Sequence, residues 1–272
     1  MIKMILLNGV ELEFQTFPNG ETLVNGEAIG SNMKDFNTIS FKYENDSDLI
    51  KLMFVKNVLD ERSKPASLLI YYMPYSRMDR VEGLSVFTLK VAANLINSLQ
   101  FHDVTVIEPH SDVTLALLNR STATYPTIEL LERVTKEVGF DREQDYLFFP
   151  DAGAQKRYSK VKGYKQLVGF KSRDFQTGQI QSLDIVGKIP EKPFKAIIVD
   201  DLCSYGGTFI RSAEKLREIG ASAVYLLVGH CENSIHQGKI LTTDLIDRVF
   251  TTDTILDQTG HDKITRYEIG GF

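Results

Sequence analysis

Short apolar runs recur along the chain, and each is followed by a polar loop and then by a helical pattern. The runs contain four to six residues and lie at positions 67–72, 104–107, 146–149, 196–199 and 224–228. Runs that are apolar throughout are typical of strands buried on both faces, and strands that alternate with helices favour parallel sheets. The pattern therefore predicts an α/β fold with largely parallel sheets flanked by helices.

Apolar side chains spaced three or four residues apart predict four helices. We expect these helices at residues 48–62, 86–99, 127–138 and 208–219. Pro126 precedes the third helix and Gly139 follows it, which suits the start and the end of a helix. The first 45 residues instead have a β-rich pattern, with strands expected at residues 1–7, 11–14 and 38–43.

Chain length and loop composition together predict two domains. A chain of 272 residues is long enough for about two domains of ordinary size. A boundary within residues 122–126 would separate two similar α/β units in tandem. We therefore expect one domain over residues 1–125 and another over residues 126–254, and leave open that residues 255–272 complete the first.

The amino-acid composition and the net charge limit the class of protein to which this chain can belong. Hydrophobic residues make up 43% of the chain and charged residues 25%, which is typical of a globular protein. The net charge of −5 argues against a broad nucleic-acid-binding face, because such a face needs clustered positive charge. No signal peptide or membrane-spanning run is recognisable, so a cytoplasmic protein without membrane contact is expected. The spacing of Cys203 and Cys231 is not that of a metal site and favours buried free thiols over a disulfide.

The segment at residues 196–208 carries the most informative chemistry. An apolar run ends in Asp200 and Asp201, and a short loop then leads through Gly206 and Gly207 to Thr208 and a helix. Glycines allow close approach of the backbone to a ligand, and the first N–H groups of a helix bind anions. Two carboxylates at this position can hold sugar hydroxyls or hydrated Mg²⁺. This one segment thus contains groups that could bind a phosphate, a ribose and a metal ion, which indicates phosphoribosyl chemistry.

Six ordered motifs make the chain resemble the ribose-phosphate diphosphokinases, the phosphoribosyl-pyrophosphate synthetases. The resemblance covers nearly the whole length, and the segment at residues 196–208 falls where that family binds ribose phosphate. The other five motifs are Phe17-Pro18-Asn19-Gly20-Glu21, residues 72–80, Glu108-Pro109-His110, Pro150-Asp151-Ala152-Gly153 and Lys171-Ser172-Arg173. The resemblance implies two tandem phosphoribosyltransferase-like domains, with the ATP side in residues 1–125 and the ribose-phosphate side in residues 126–254.

The resemblance also implies an activity, which is Mg²⁺-dependent transfer of a diphosphoryl group from ATP to the C1 hydroxyl of a 5′-phosphorylated ribose, with release of AMP. The implied ATP-binding residues are Phe17, Asn19, Glu21 and Arg77. His110 and Asp151 would hold Mg²⁺, and Lys171 and Arg173 would stabilise the transferring group from a mobile loop over residues 171–179. Asp200 and Asp201 would hold the ribose hydroxyls and a second Mg²⁺. The 5′ phosphate would bind in the loop that begins at Ser204 and Tyr205, where it would contact Gly206, Gly207 and Thr208. Family members form dimers and hexamers, so a homo-oligomer is implied.

Two departures from the family pattern concern the ribose-phosphate loop. Ser204 stands where the family has a third Asp, and Tyr205 stands where it has Thr. Met78 also replaces a Gln, and the chain is shorter than typical members. A bulky ring at position 205 leads to the hypothesis of a 5′-extended acceptor such as ADP-ribose, with ordinary ribose 5-phosphate as the alternative.

Other interpretations stay open. A phosphoribosyltransferase would share the segment at residues 196–208 but would need no ATP motif. A non-catalytic nucleotide-binding relative would lack the Lys171 and Arg173 pair, which this chain retains. Among the remaining polar residues, Lys156, Arg157 and His230 are interpreted as structural, and Tyr75 as a packing residue. Arg77 and Arg80 could also merely pair with Asp79 on the surface.

Overall fold

The computed structural model describes residues 5–173, 180–187, 193–257 and 260–269, and divides the chain into two compact units, Met1–Thr124 and Tyr125–Phe272. Each unit is built around its own sheet. The described helices contain no segment long and apolar enough to span a bilayer.

The first unit contains a six-stranded sheet in the order β2-β1-β5-β6-β7-β8 and a separate β3-β4 hairpin. Its elements are, in chain order, β1 (Ile5–Leu7), β2 (Val10–Glu11), β3 (Phe14–Thr16), β4 (Thr22–Val24), α1 (Gly26–Asn32), β5 (Asn37–Phe41), α2 (Ser47–Glu61), β6 (Ala66–Ile70), α3 (Thr88–Ser98), β7 (Val104–Ile107), α4 (Asp112–Leu117) and β8 (Ser121–Thr124). Strands β5 to β8 run parallel, whereas β1 is antiparallel to β5. The carboxyl ends of β6 and β7 therefore lie side by side.

The second unit contains a seven-stranded sheet in the order β11-β10-β9-β12-β13-β14-β15. Its elements are, in chain order, α5 (Pro126–Glu137), β9 (Tyr146–Phe149), α6 (Ala152–Arg157), β10 (Lys165–Arg173), β11 (Ile180–Val186), β12 (Phe194–Cys203), α7 (Gly207–Glu218), β13 (Ala221–Cys231), a 3-10 helix (Asn233–Gln237), β14 (Arg248–Thr252) and β15 (Ile264–Tyr267). All neighbouring pairs are parallel except β10 and β11. Cys203 and Cys231 are buried free thiols at paired positions on β12 and β13.

The run at residues 196–199 of β12 shows why the middle of this strand is apolar without a break. Ile198 packs in the core on one face of the sheet, together with Phe209 and Leu216 of α7. Ile197 packs in the core on the other face, together with Leu130 of α5. Because successive side chains of a strand point to opposite faces, a strand covered on both sides needs apolar residues at every position. The predicted sandwich of helices around a parallel sheet is therefore present.

Three sequence expectations need correction. Residues 255–272 were left open as completing the first domain, but β15 pairs with β14 in the second sheet. Lys171 and Arg173 were expected on a loop, but their backbone belongs to β10 and pairs with β11, while residues 174–179 lie outside the described residues. The strand that carries Asp200 and Asp201 continues to Cys203, so both acids lie within β12. In the last two cases a strand extends beyond its local apolar signal, and in the first, strand pairing decides to which sheet the segment belongs.

Candidate active site

The turn between β12 and α7 is fixed by Gly206. This residue has φ = 84°, and a Cβ there would lie 2.0 Å from Cδ1 of the buried Ile240. Only glycine satisfies both constraints, because side chains disfavour positive φ and the space is filled. Gly206 also has no side chain with which to cap α7, so no cap competes with an anion for the first N–H groups of the helix. The geometry of the turn is thus compatible with a phosphate cradle, and phosphate binding there stays a prediction.

Ser204 and Tyr205 face different surroundings in this turn. The Ser204 hydroxyl lies 3.0 Å from the Ser234 hydroxyl, which in turn donates to Oε2 of Glu232 at 3.1 Å. The side chain of Tyr205 is 58% exposed. A Cβ on Gly238 would lie 2.1 Å from the carbonyl oxygen of Tyr205, so the segment that follows β13 packs closely against the turn. This packing holds the backbone while it leaves the aromatic ring in solvent.

Arg157 holds the acid pair of β12 from the end of α6. Its Nη1 lies 2.7 Å from Oδ1 of Asp201 and 3.2 Å from Oδ1 of Asp200. Burial and the neighbouring Asp201 charge raise the pKa of Asp200 well above its usual range, although Arg157 opposes this rise. The interpretation of Arg157 as merely structural missed this contact, because Arg157 and Asp201 are 44 positions apart in sequence. The available sequence signal was the position of Arg157 at the end of the short helix that follows Asp151.

Asp151 lies at the carboxyl end of β9, and β9 pairs with β12. Its Oδ1 accepts a hydrogen bond from the Ala154 N–H at 3.0 Å and caps α6. The parallel pairing of β9 and β12 places Asp151 and Asp200 at the same edge of the sheet. His230 is buried farther along this edge, and its Nδ1 lies 2.7 Å from Oγ1 of Thr254, which agrees with a structural role.

The backbone of Lys171 and Arg173 runs along β10, beside β9. Their side chains lie outside the described residues, so their assignment to the transferring group stays a prediction. The second unit thus carries the candidate residues Asp151, Asp200 and Asp201 with the turn at Gly206.

In the first unit, the β3-β4 hairpin presents Phe17, Asn19 and Glu21. The Glu21 N–H donates to Oδ1 of Asn19 at 3.2 Å, and the Phe17 N–H donates to the Glu21 carbonyl at 2.8 Å. The Phe17 ring is 48% exposed. These bonds close a tight turn that displays an aromatic ring and a carboxylate, which suits contact with a nucleotide.

The loops after β6 and β7 bring Asp79 close to His110. Asp79 is buried and is held by Arg80, whose Nε lies 2.7 Å from Oδ1. Burial raises the pKa of Asp79, but Arg80, with smaller contributions from Ser111 and His110, outweighs burial and holds this pKa below its usual value. Arg77 lies exposed in the same loop as Asp79. The Arg80–Asp79 pair that the sequence allows is therefore present, but Asp79 is buried rather than on the surface, and the adjacent strand ends place it near His110.

Within the residues that the structure describes, no group of three or more His, Cys, Asp or Glu side chains is arranged to hold a metal ion. The donor chemistry nevertheless fits Mg²⁺, since this ion commonly takes one or two carboxylates and completes its shell with water and substrate phosphate. Asp151 and the Asp200–Asp201 pair supply such carboxylate oxygens at one edge of a sheet.

Comparison with known proteins identifies one family and several relatives of similar sequence. The family described as "Phosphoribosyl synthetase-associated domain" matches residues 159–268. The ribose-phosphate pyrophosphokinase of Sulfolobus acidocaldarius is 28% identical over 94% of this chain and 91% of its own length. The enzyme of the same name from Pyrococcus furiosus is 27% identical over 90% of this chain and 86% of its own length.

The fold also has a solved counterpart. The crystal structure of phosphoribosylpyrophosphate synthetase from Mycobacterium smegmatis superposes with a TM-score of 0.75 at 18% identity, and covers 96% of this chain and 87% of that chain. This likeness supports the predicted α/β fold with two phosphoribosyltransferase-like domains. Over nearly its whole length this chain is thus similar in sequence to ribose-phosphate pyrophosphokinases, and it shares the fold of a phosphoribosylpyrophosphate synthetase.

Proposed function

We propose that this chain transfers a diphosphoryl group from ATP to the C1 hydroxyl of a 5′-phosphorylated ribose and releases AMP. The observation that carries the proposal is the turn between β12 and α7. There, an acid pair that is largely withdrawn from water and held by Arg157 lies one short loop before a glycine that leaves the start of a helix without a side-chain cap. The similarity to ribose-phosphate pyrophosphokinases supports the choice of reaction.

The acceptor would bind to the second unit. Asp200 and Asp201 would accept hydrogen bonds from the ribose hydroxyls, and the N–H groups at the start of α7 would hold the 5′ phosphate, with the Thr208 hydroxyl beside them. Because Arg157 neutralises much of the acid pair, the two carboxylates can stay close together without a metal ion. This arrangement fixes the C1 hydroxyl for attack on the β-phosphorus.

ATP would bind to residues of the first unit. The Phe17 ring would pack on the base, Asn19 and Glu21 would contact the sugar or base edge, and the Arg77 guanidinium would hold phosphate oxygens. The transition state spreads negative charge over the transferring phosphoryl oxygens, so catalysis needs Mg²⁺, fixed cations and alignment rather than a covalent nucleophile. Lys171 and Arg173 are proposed to supply part of that positive charge.

Mg²⁺ is the proposed cofactor. The candidate ligands are His110 in the first unit and Asp151 in the second, and the acid pair is proposed for a second ion. Such an ion supplies charge neutralisation and orientation of the ATP phosphates. The proposed assembly is a homo-oligomer, a dimer or hexamer, and light scattering of the purified protein measures it.

We also propose that the acceptor carries an extension beyond its 5′ phosphate, as ADP-ribose does. The exposed Tyr205 ring stands beside the phosphate cradle, where it offers an apolar face to such an extension. The Ser204 hydroxyl is turned toward Ser234 and Glu232, so the turn presents a different surface from the acidic and hydroxyl residues of the family pattern. Ordinary ribose 5-phosphate remains the competing acceptor.

The test is turnover of ATP with each acceptor in the presence of Mg²⁺. AMP and the diphosphorylated acceptor would be measured by chromatography and by phosphorus NMR. AMP formed in equal amounts with the new product supports diphosphoryl transfer, and faster turnover of ADP-ribose supports the extended acceptor. Nucleotide formed from phosphoribosyl diphosphate and a free base without ATP would indicate a phosphoribosyltransferase. Nucleotide binding without turnover of either acceptor would indicate a non-catalytic relative.

A further inference from the structure

The loop after β6 holds Arg77 in a turn that starts from a strained residue. Tyr75 has φ = 62°, a region that bulky side chains rarely occupy. Its carbonyl accepts a hydrogen bond from the Met78 N–H at 2.9 Å, so Ser76 and Arg77 form the middle of the turn. The direction of the Arg77 side chain therefore depends on whether Tyr75 keeps its left-handed conformation.

Contacts from another part of the same unit hold Tyr75. Its hydroxyl donates to Oδ1 of Asp46, the residue before α2, and the Tyr43 hydroxyl donates to the same oxygen at 2.6 Å. The two rings lie 6.1 Å apart and both pack against the core of the unit. The two hydroxyls hold the pKa of Asp46 below its usual value, so this carboxylate stays ionised and a strong acceptor at neutral pH.

Strained backbone persists only where the surroundings hold it, and it is concentrated at functional sites. The sequence interpretation of Tyr75 as a packing residue accounts for its ring but not for its hydroxyl or its φ. We propose that Tyr75, anchored through its hydroxyl to Asp46, is a positioning residue that directs Arg77 toward the phosphates of ATP. This proposal rests on the proposed function, in which Arg77 contacts ATP.

Tyr75→Phe tests the proposal because it removes one hydroxyl and keeps the ring. Asp46→Ala removes the anchor from the other side. Tyr43→Phe is the matched control, since it deletes an equivalent hydrogen bond to the same carboxylate but lies outside the Arg77 turn. Binding of a non-hydrolysable ATP analogue would be measured by calorimetry, KM and kcat by steady-state assay, and melting temperature by scanning calorimetry.

We expect Tyr75→Phe and Asp46→Ala to weaken binding of the analogue about 5- to 20-fold and to raise KM for ATP similarly. The value of kcat at saturating ATP and KM for the acceptor should change less than about threefold, and Tyr43→Phe should bind the analogue within twofold of wild type. Wild-type binding in both test variants, or an equal loss in Tyr43→Phe, overturns the proposal. A wild-type protein that binds the analogue but forms no AMP refutes the proposed function alone, and the binding comparison still decides the role of Tyr75.

Discussion

Arg157 is the side chain on which the acid pair of β12 depends. Its side chain is 12% exposed, against 17% for Asp200 and 5% for Asp201, so all three groups are largely withdrawn from water. Removing one partner from a buried ion pair leaves uncompensated charge, which is far more costly than losing an exposed pair. Arg157 therefore stabilises the fold as well as the proposed ribose site.

We expect Arg157→Gln to lower the free energy of unfolding by about 3 kcal/mol, because two carboxylates then face each other without a cation. Urea unfolding followed by circular dichroism measures this change. The double variant Arg157→Gln with Asp200→Asn should lose less than the single variant, since one of the two charges is gone. Lys156→Gln, at the exposed neighbouring position, should stay within about 0.5 kcal/mol of wild type. Equal stability of Arg157→Gln and Lys156→Gln would contradict this account.

Tyr205 is the residue whose exposure bears on the choice of acceptor. Tyr205→Thr restores the small hydroxyl residue of the family pattern and removes a stacking face worth about 1–3 kcal/mol for a base. We expect KM for ADP-ribose to rise about tenfold, while KM for ribose 5-phosphate stays the same or falls. Steady-state assays with both acceptors measure the two values in parallel. An unchanged ratio of the two KM values would show that the ring does not contact the acceptor.

At the level of elements, the turn from β12 into α7 is constrained by a residue far along the chain. Gly206 provides the positive φ, while Ile240, beyond β13, fills the space where a side chain would be. At Gly207 the space is open, because a Cβ there would meet no atom within 4 Å. Two adjacent glycines in one motif thus serve different purposes.

This difference gives a matched pair of variants. We expect Gly206→Ala to lower the free energy of unfolding by at least about 1–3 kcal/mol, the cost of a strained backbone alone, with the clash against Ile240 added to it. Gly207→Ala should stay within about 1 kcal/mol of wild type, because Ala favours a helix over Gly. Thermal unfolding measures both variants. Ile240→Ala alone lowers stability through its own core cavity, so the comparison is a double-mutant cycle. If the clash contributes, Gly206→Ala should cost less in the Ile240→Ala background than in wild type, and an equal cost would assign the whole loss to φ.

The helices and the parallel strands were readable from local sequence because their signals are local. The helix expected over residues 208–219 is α7 (Gly207–Glu218), and the helix expected over residues 127–138 is α5 (Pro126–Glu137). Strand β11 had no comparable signal, because it is an edge strand antiparallel to β10, and its described side chains, those of residues 184–186, are exposed or half-buried. Its existence depends on pairing with β10 rather than on an apolar run of its own.

At the scale of the whole molecule, carboxylates govern the response to acid. Burial raises the pKa of Asp79, but Arg80 and its neighbours outweigh burial and hold this pKa below the ordinary value, and His102 with Ser67 lowers the pKa of Asp103. A carboxyl group with a lowered pKa in the folded state stabilises the protein above the pKa of the unfolded chain, about 3.9. That stabilisation is lost as the pH falls through the lower, folded-state pKa.

We therefore expect the melting temperature to fall steeply as the pH is lowered from about 5 to 3. Asp79→Asn should be less stable than wild type at pH 7, because Arg80 loses its charged partner, and this difference should shrink toward pH 3 as the wild-type carboxyl group takes up a proton. Scanning calorimetry over a pH series measures both effects. A difference that stays constant down to pH 3 would show that the charge of Asp79 does not stabilise the fold.

The sequence by itself determined the alternation of strands and helices, the glycine turn after the acid pair and the order of motifs typical of the family, because each element and each motif is encoded in a short stretch of neighbouring residues. The tertiary structure decided which distant side chains meet. It brought Arg157 to Asp200 across 43 positions, Asp46 to Tyr75 across 29, and Ile240 to Gly206. Such contacts follow from strand order and helix packing, which only the folded chain specifies, and they set the charge and the backbone geometry of the proposed site.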